Sequence, residues 1–203
     1  MISPRAILVL AALAASHASA GEAYRDDLAV PAYRLLASML AQFRDEAPAE
    51  RAERSVELVA PLVRALDDRH RADVEQRLRR AIRAHDREAA FCATMLLVLL
   101  DAEDLLEGIR RDDYTGWSDA RVLARRAFLD YRLVTADLRR THAELDRRTV
   151  ADFGRLAGVL DASDLATSPV PVVAARAAAV ADLAALRATL DREAPARTEK
   201  ESR

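Results

Sequence analysis

Four side chains in this sequence carry donor atoms that bind transition metals and also fall on runs that read as apolar helix faces: His85, Cys92, Met95 and His142. Imidazole, thiolate and thioether together suit copper or haem iron, and carboxylates added to them shift the preference toward iron or manganese. Helix bundles build such centres between facing helices. A helix rises about 5.4 Å per turn, so His85, Cys92 and Glu103, spread over about five turns, cannot share one ion. Only Cys92 with Met95, or His85 with Glu88, lie near enough in sequence to act together, with His142 arriving from another helix. The competing reading of each core-facing histidine is a packed side chain whose nitrogens are satisfied by neighbours.

Two further groups invite the same question. His70 extends the seam of one helix but sits among charged residues, where a solvated ring is expected. Asp101, Glu103, Asp104 and Glu107 form an acidic patch directly after an apolar run. Carboxylates gathered on a helix face can dock iron, manganese or calcium. The preferred reading is a solvated face paired with arginines such as Arg121, Arg125 and Arg126. The glutamate and histidine pattern of a di-iron bundle is absent from the sequence.

Catalytic motifs are weaker still. Gly116-Trp117-Ser118-Asp119-Ala120 imitates a hydrolase nucleophile elbow, but it lacks the closing glycine and no strand leads into it. Ser118 or Asp119 is better placed as a helix cap. The sequence contains no zinc-protease helix, paired-cysteine, haem-attachment, phosphate-loop or calcium-loop motif. The potential ligands on apolar seams put binding ahead of catalysis, with a helical enzyme as the third reading, since a bundle can host catalysis without any such motif. Trp117, beside Tyr114, reads either as an exposed interface anchor or as a plug for one end of the fold.

The elements that must position these groups are helices. Alanine, leucine, arginine and glutamate dominate, and these lose least on entering a helix; strand signals are nearly absent. A helix is predicted over Pro31 to Asp45, with Leu35, Met39 and Phe43 one turn apart. A second begins near Ala49 and carries Val56, Val59, Val63 and Leu66, with Pro61 expected to bend it. A third element, starting after Asp68, keeps one register from Val74 through Leu78, Ala81, His85, Cys92, Leu96 and Leu99 to Leu106. If unbroken it reaches about Gly108. The clearest pattern runs from Ala124 through Phe128, Tyr131, Thr135, Leu138 and His142 to Leu145, in coiled-coil steps of four and three. Continued by Thr149, Phe153, Leu156 and Leu160, it predicts a rod of roughly 65 Å. Pro169 and Pro171 break the chain, and a final alanine-rich helix is predicted from Val172 to Arg192. The fold class is all-α, an up-and-down bundle of four or five antiparallel helices.

Residues 1–20 have the positive start, apolar core and small-residue end (Ala18-Ser19-Ala20) of a cleavable Sec-type signal peptide. Periplasmic export is the expectation, with a single domain over 21–193 and a disordered tail over 194–203. The apolar core of the leader is too short to span a bilayer, as is the run from Phe91 to Leu100. With the leader removed, 30 basic residues face 33 acidic ones, a net charge near −3. No basic excess exists to hold a phosphate backbone, which excludes nucleic acid as an expected partner. Cys92 is the only cysteine, so no internal disulfide supports the fold. The leading functional expectation is a non-enzymatic periplasmic protein that sequesters or delivers iron, copper or haem. The alternative is an envelope adaptor that binds a partner chain or forms a homo-oligomer through amphipathic helices.

Overall fold

The computed structural model describes residues 49–109, 117–162 and 170–201. The predicted helix over Pro31 to Asp45, the leader, and Tyr114 lie outside them. The described residues form six helices and no strand: α1 (Ala49–His70), α2 (Val74–Arg83), α3 (Arg87–Glu107), α4 (Ser118–Thr141), α5 (Ala143–Ala162) and α6 (Val170–Glu201). The expected all-α bundle is what the chain forms.

α3 is its axis. Residues 92–100 are all buried, because α3 packs against α1, α2, α4 and α6 together. A helix enclosed on every side has no polar face to spare, which accounts for the unbroken Cys-Ala-Thr-Met-Leu-Leu-Val-Leu-Leu run. α3, α4, α5 and α6 form a closed ring in which each packs on the next, while α1 and α2 cover the outside of α3.

The α1–α2 hairpin is fastened at its turn and along its length. Asp67 in α1 accepts from the Val74 and Glu75 amides at 2.9 and 3.0 Å, supplying the N-terminal cap that Asp73 does not. Arg64 pairs with Glu75 at 2.7 Å and Arg79 with Glu57 at 3.0 Å. The hydrogen bonds from Arg64 and Arg79 hold the Glu75 carboxyl down at about 2 against the opposing effect of burial. α1 runs through Pro61 uninterrupted, with the proline ring exposed.

Two breaks depart from the sequence expectation. The third element is divided at His85 into α2 and α3. The Asp86 amide donates to Ala81 O at 2.9 Å and the His85 amide to Ile82 O at 3.1 Å, with His85 left-handed at φ 54°. This is the Schellman ending that usually recruits glycine. Asp86 then caps α3 by accepting from the Ala89 amide at 2.8 Å. The turn after α1 has the same construction, with Arg71 at φ 51° and Ala72 N donating to Asp67 O. A left-handed L-residue costs roughly 1–2 kcal/mol, and His85 is exposed, so little is lost with its ring. His85→Gly is expected to raise stability by about 0.5 to 1 kcal/mol, read from urea unfolding midpoints.

The second break is at His142, where φ −135° and ψ 48° end α4. The predicted rod folds back on itself there. Phe128 and Tyr131 of α4 pack against Phe153 of α5 with tilted rings, centroids 5.4 and 5.7 Å apart. Tyr131 Oη donates to Asp146 Oδ1 at 2.8 Å, and Arg139 Nε to Asp146 Oδ2 at 3.1 Å. Arg121 near the start of α4 reaches the Leu160 carbonyl near the end of α5, at 2.7 and 3.0 Å. The two helices are therefore antiparallel, and the heptad seam is satisfied within the chain.

Smaller differences concern the ends. Trp117, at φ 63°, precedes α4 as its N-terminal flank without a side-chain cap, so Ser118 and Asp119 are helical residues rather than caps. Trp117 is buried. α6 starts at Val170 with Pro171 in its first turn, where no intrahelical amide bond is lost. Its backbone continues past Pro195 to Glu201, beyond the predicted end at Arg192, as the helix-favouring residues that follow allow.

Candidate metal centre

The structure disperses the ligands read from the sequence. His85 lies in the exposed turn before α3, Cys92 and Met95 are inside the core, and His142 is half-buried at the α4–α5 hinge. Among the described residues, the one group of three histidine, cysteine or carboxylate side chains able to surround an ion is His70, Asp104 and Glu107, with one donor atom from each lying within 4.8 Å of the others. None of the four predicted ligands belongs to it.

This cluster forms where the last residue of α1 meets the last turns of α3. His70 continues the seam of Val59, Val63 and Leu66, so its ring turns inward although its sequence neighbours are charged. Its side chain is 6% exposed, which corrects the expectation of a solvated ring. Nε2 is buried with no hydrogen-bond partner; Asp104 Oδ1 lies 3.8 Å away, beyond hydrogen-bond reach. On the other edge of the ring, Nδ1 is 4.0 Å from Glu103 Oε1.

The acidic patch is likewise not a solvated face. Glu103 is buried, Asp104 is mostly buried, and only Glu107 is exposed. Arg187 of α6 reaches Glu103, Nε to Oε2 at 3.3 Å. Arg69, largely exposed, donates to Asp104 Oδ1. Burial pushes the Glu103 carboxyl up, only partly offset by Arg187 and His70. Burial also raises Asp104, but His70 and the Arg69 guanidinium outweigh it and hold that carboxyl below its usual range.

Leaving His70 aside, three carboxylates face two guanidiniums here, a net charge of 2 − 3 = −1. A bound cation would balance that charge, and Nε2, buried without a hydrogen-bond partner, faces the same carboxylates. Donors bound to one ion at about 2.1 Å sit roughly 3.4 Å apart, so groups up to 4.8 Å apart must draw together by as much as about 1.4 Å to hold it. Asp104 and Glu107 are three apart on α3 and share a face, while Arg69 and Glu107 keep the freedom of exposed side chains.

With each helix taken singly, the sequence offers the acidic patch as a candidate cation dock and His70 as a seam residue, but favours the solvated reading of each. The seam position of His70 was the available signal, as was the place of Glu103 in the α3 register.

Fold and cluster together define a class: an all-α bundle with a histidine–carboxylate cluster at the junction of two of its helices. Compared with known proteins, the chain matches no family model, no curated protein and no solved structure.

Proposed function

We propose that this protein is a non-enzymatic helical bundle that binds a divalent transition-metal ion in the periplasm, through His70, Asp104 and Glu107. The reading rests on one observation, the partnerless and buried Nε2 of His70 set against two carboxylates. One imidazole with two carboxylates is a harder donor set than the thiolate and thioether of Cys92 and Met95. It fits iron(II), manganese(II) or zinc(II) better than copper(I) or haem. Export follows from the signal-like sequence of residues 1–20, and no helix among the described residues is long and apolar enough to cross a membrane.

Calorimetric titration with zinc(II), manganese(II) and anaerobic iron(II) tests it. One ion per chain is expected for at least one metal, and His70→Asn should weaken that affinity by roughly 100-fold or more, since a first ligand is lost. His85→Gly should leave it unchanged. Failure to take up any of the three metals would sink the reading. The envelope adaptor would then remain, supported by the exposed Val122, Leu129 and Leu133 on the outer side of α4.

A further inference from the structure

We propose that Glu103 is the positioning residue of this centre. It holds Nδ1–H of His70 and so presents Nε2 to the ion, with Arg187 keeping the Glu103 carboxylate turned toward the ring. The inference rests on the metal-binding reading and assigns a role to two residues outside the ligand group. Three observations carry it.

First, the ring is divided between two carboxylates, Nδ1 toward Glu103 Oε1 at 4.0 Å and Nε2 toward Asp104 Oδ1 at 3.8 Å. A neutral imidazole carries one proton, and only one of its nitrogens can coordinate. Nε2 is the nitrogen on the side of the ligand group, so the proton belongs on Nδ1. Secondly, Glu103 is buried and has no freedom to act as an exposed ligand in the way Glu107 does. The groups it faces are His70 and Arg187. Thirdly, Arg187 faces both carboxylate oxygens: a terminal nitrogen donates to Oε1 at 3.4 Å, and Nε lies 3.3 Å from Oε2 as an ion pair without a formed hydrogen bond. Arg187 belongs to α6, a helix that gives the ligand group no residue. Metal-bound histidines commonly donate their second N–H to such a carboxylate, which sets tautomer and ring orientation. Nδ1 and Glu103 Oε1 face one another across 4.0 Å, about 1 Å more than the roughly 2.9 Å of a formed hydrogen bond.

The arrangement also joins α6 to a site built on α1 and α3. Withdrawal of Arg187 releases Glu103, and the ring then loses its orientation without any ligand being touched.

Two readouts on the full-length chain test the proposal. In the metal-free protein, nitrogen-15 imidazole spectra of His70 should show the Nδ1–H tautomer, and Glu103→Gln should shift the population toward Nε2–H or a mixture. In metal titrations, Glu103→Gln should weaken affinity about 10- to 100-fold, and Glu103→Asp should recover part of the loss. Circular dichroism and urea unfolding of each variant verify that it folds. An Nε2–H tautomer in the unsubstituted protein, or full affinity in folded Glu103→Gln, overturns the proposal even if metal binding itself is real. If no metal binds, the functional reading fails, whereas the tautomer spectra still decide whether Glu103 orients the ring.

Discussion

Replacing Asp130 with asparagine will remove a large pH dependence from the stability of this protein. The difference in unfolding free energy between variant and parent should grow by about 4 kcal/mol from pH 4 to pH 8, in favour of the variant. Asp130 lies in α4, is 3% exposed, and neither carboxylate oxygen has a hydrogen-bond partner. Burial alone pushes its carboxyl up from 3.8 to about 7. In the unfolded chain the group ionises near 3.8, while in the fold it keeps its proton until about 7. Between those values the native state binds more protons than the unfolded one, so stability falls as pH rises across the window and stays lost above it. Each tenfold difference in proton affinity between the folded and unfolded states is worth about 1.36 kcal/mol, which sets the size of the effect. The asparagine amide carries its own desolvation cost, but that cost is the same at every pH.

Other carboxyls bend the parent curve as well. Glu75 and Asp104 are held low and Glu103 is raised, but all three are common to both proteins and cancel in the difference. Urea unfolding of parent and variant at pH 4, 6 and 8 measures it. Parallel curves would mean that Asp130 is solvated or partnered in solution. Asp130 is not among the proposed ligands, so metal affinity should not change, which separates a stability effect from damage to the site.

The fold class was legible because propensity points to helix throughout the described residues and a clear period marks α1, α4 and α5. The seam of Val56, Val59, Val63 and Leu66 is buried in α1, and the third register predicted the end of α3 at Gly108 correctly. The two breaks were not legible, for different reasons. At His85 the left-handed position carries histidine instead of glycine, and the apolar register resumes beyond the turn as though the helix had continued. At His142 no proline or glycine interrupts the heptads. The chain doubles back because Phe128 and Tyr131 find Phe153 and Asp146 within the same molecule, and no local rule encodes that. The cluster at His70 depended on α1 meeting α3, with Arg187 reaching the adjoining Glu103 from α6, 84 residues further along. A charged neighbourhood in sequence is solvated only when no other helix covers it, and here α3 covers the end of α1.

Truncating α3 at its centre should be the most damaging single change in the core. Leu97→Ala is expected to cost about 3 to 5 kcal/mol, the range for deleting a fully buried leucine where the walls cannot collapse into the space. Leu97 is 0% exposed and sits in the one helix that touches α1, α2, α4 and α6 at once. Movement of any one of these helices toward the vacancy pulls it away from its other neighbours in the ring, so relaxation is restricted. Domains of this size are stable by only about 5 to 15 kcal/mol, and the chain has no disulfide to limit the unfolded state. The loss should therefore shift the urea midpoint strongly and bring the variant near unfolding at physiological temperature. Leu58→Ala supplies the contrast, since Leu58 is 80% exposed on α1 and its removal should change stability by no more than about 0.5 kcal/mol. If the two substitutions were equally mild, α3 would not be the enclosed axis of the bundle. Leu97→Ala costing several kcal/mol beside a neutral Leu58→Ala is what a helix walled in by four others requires.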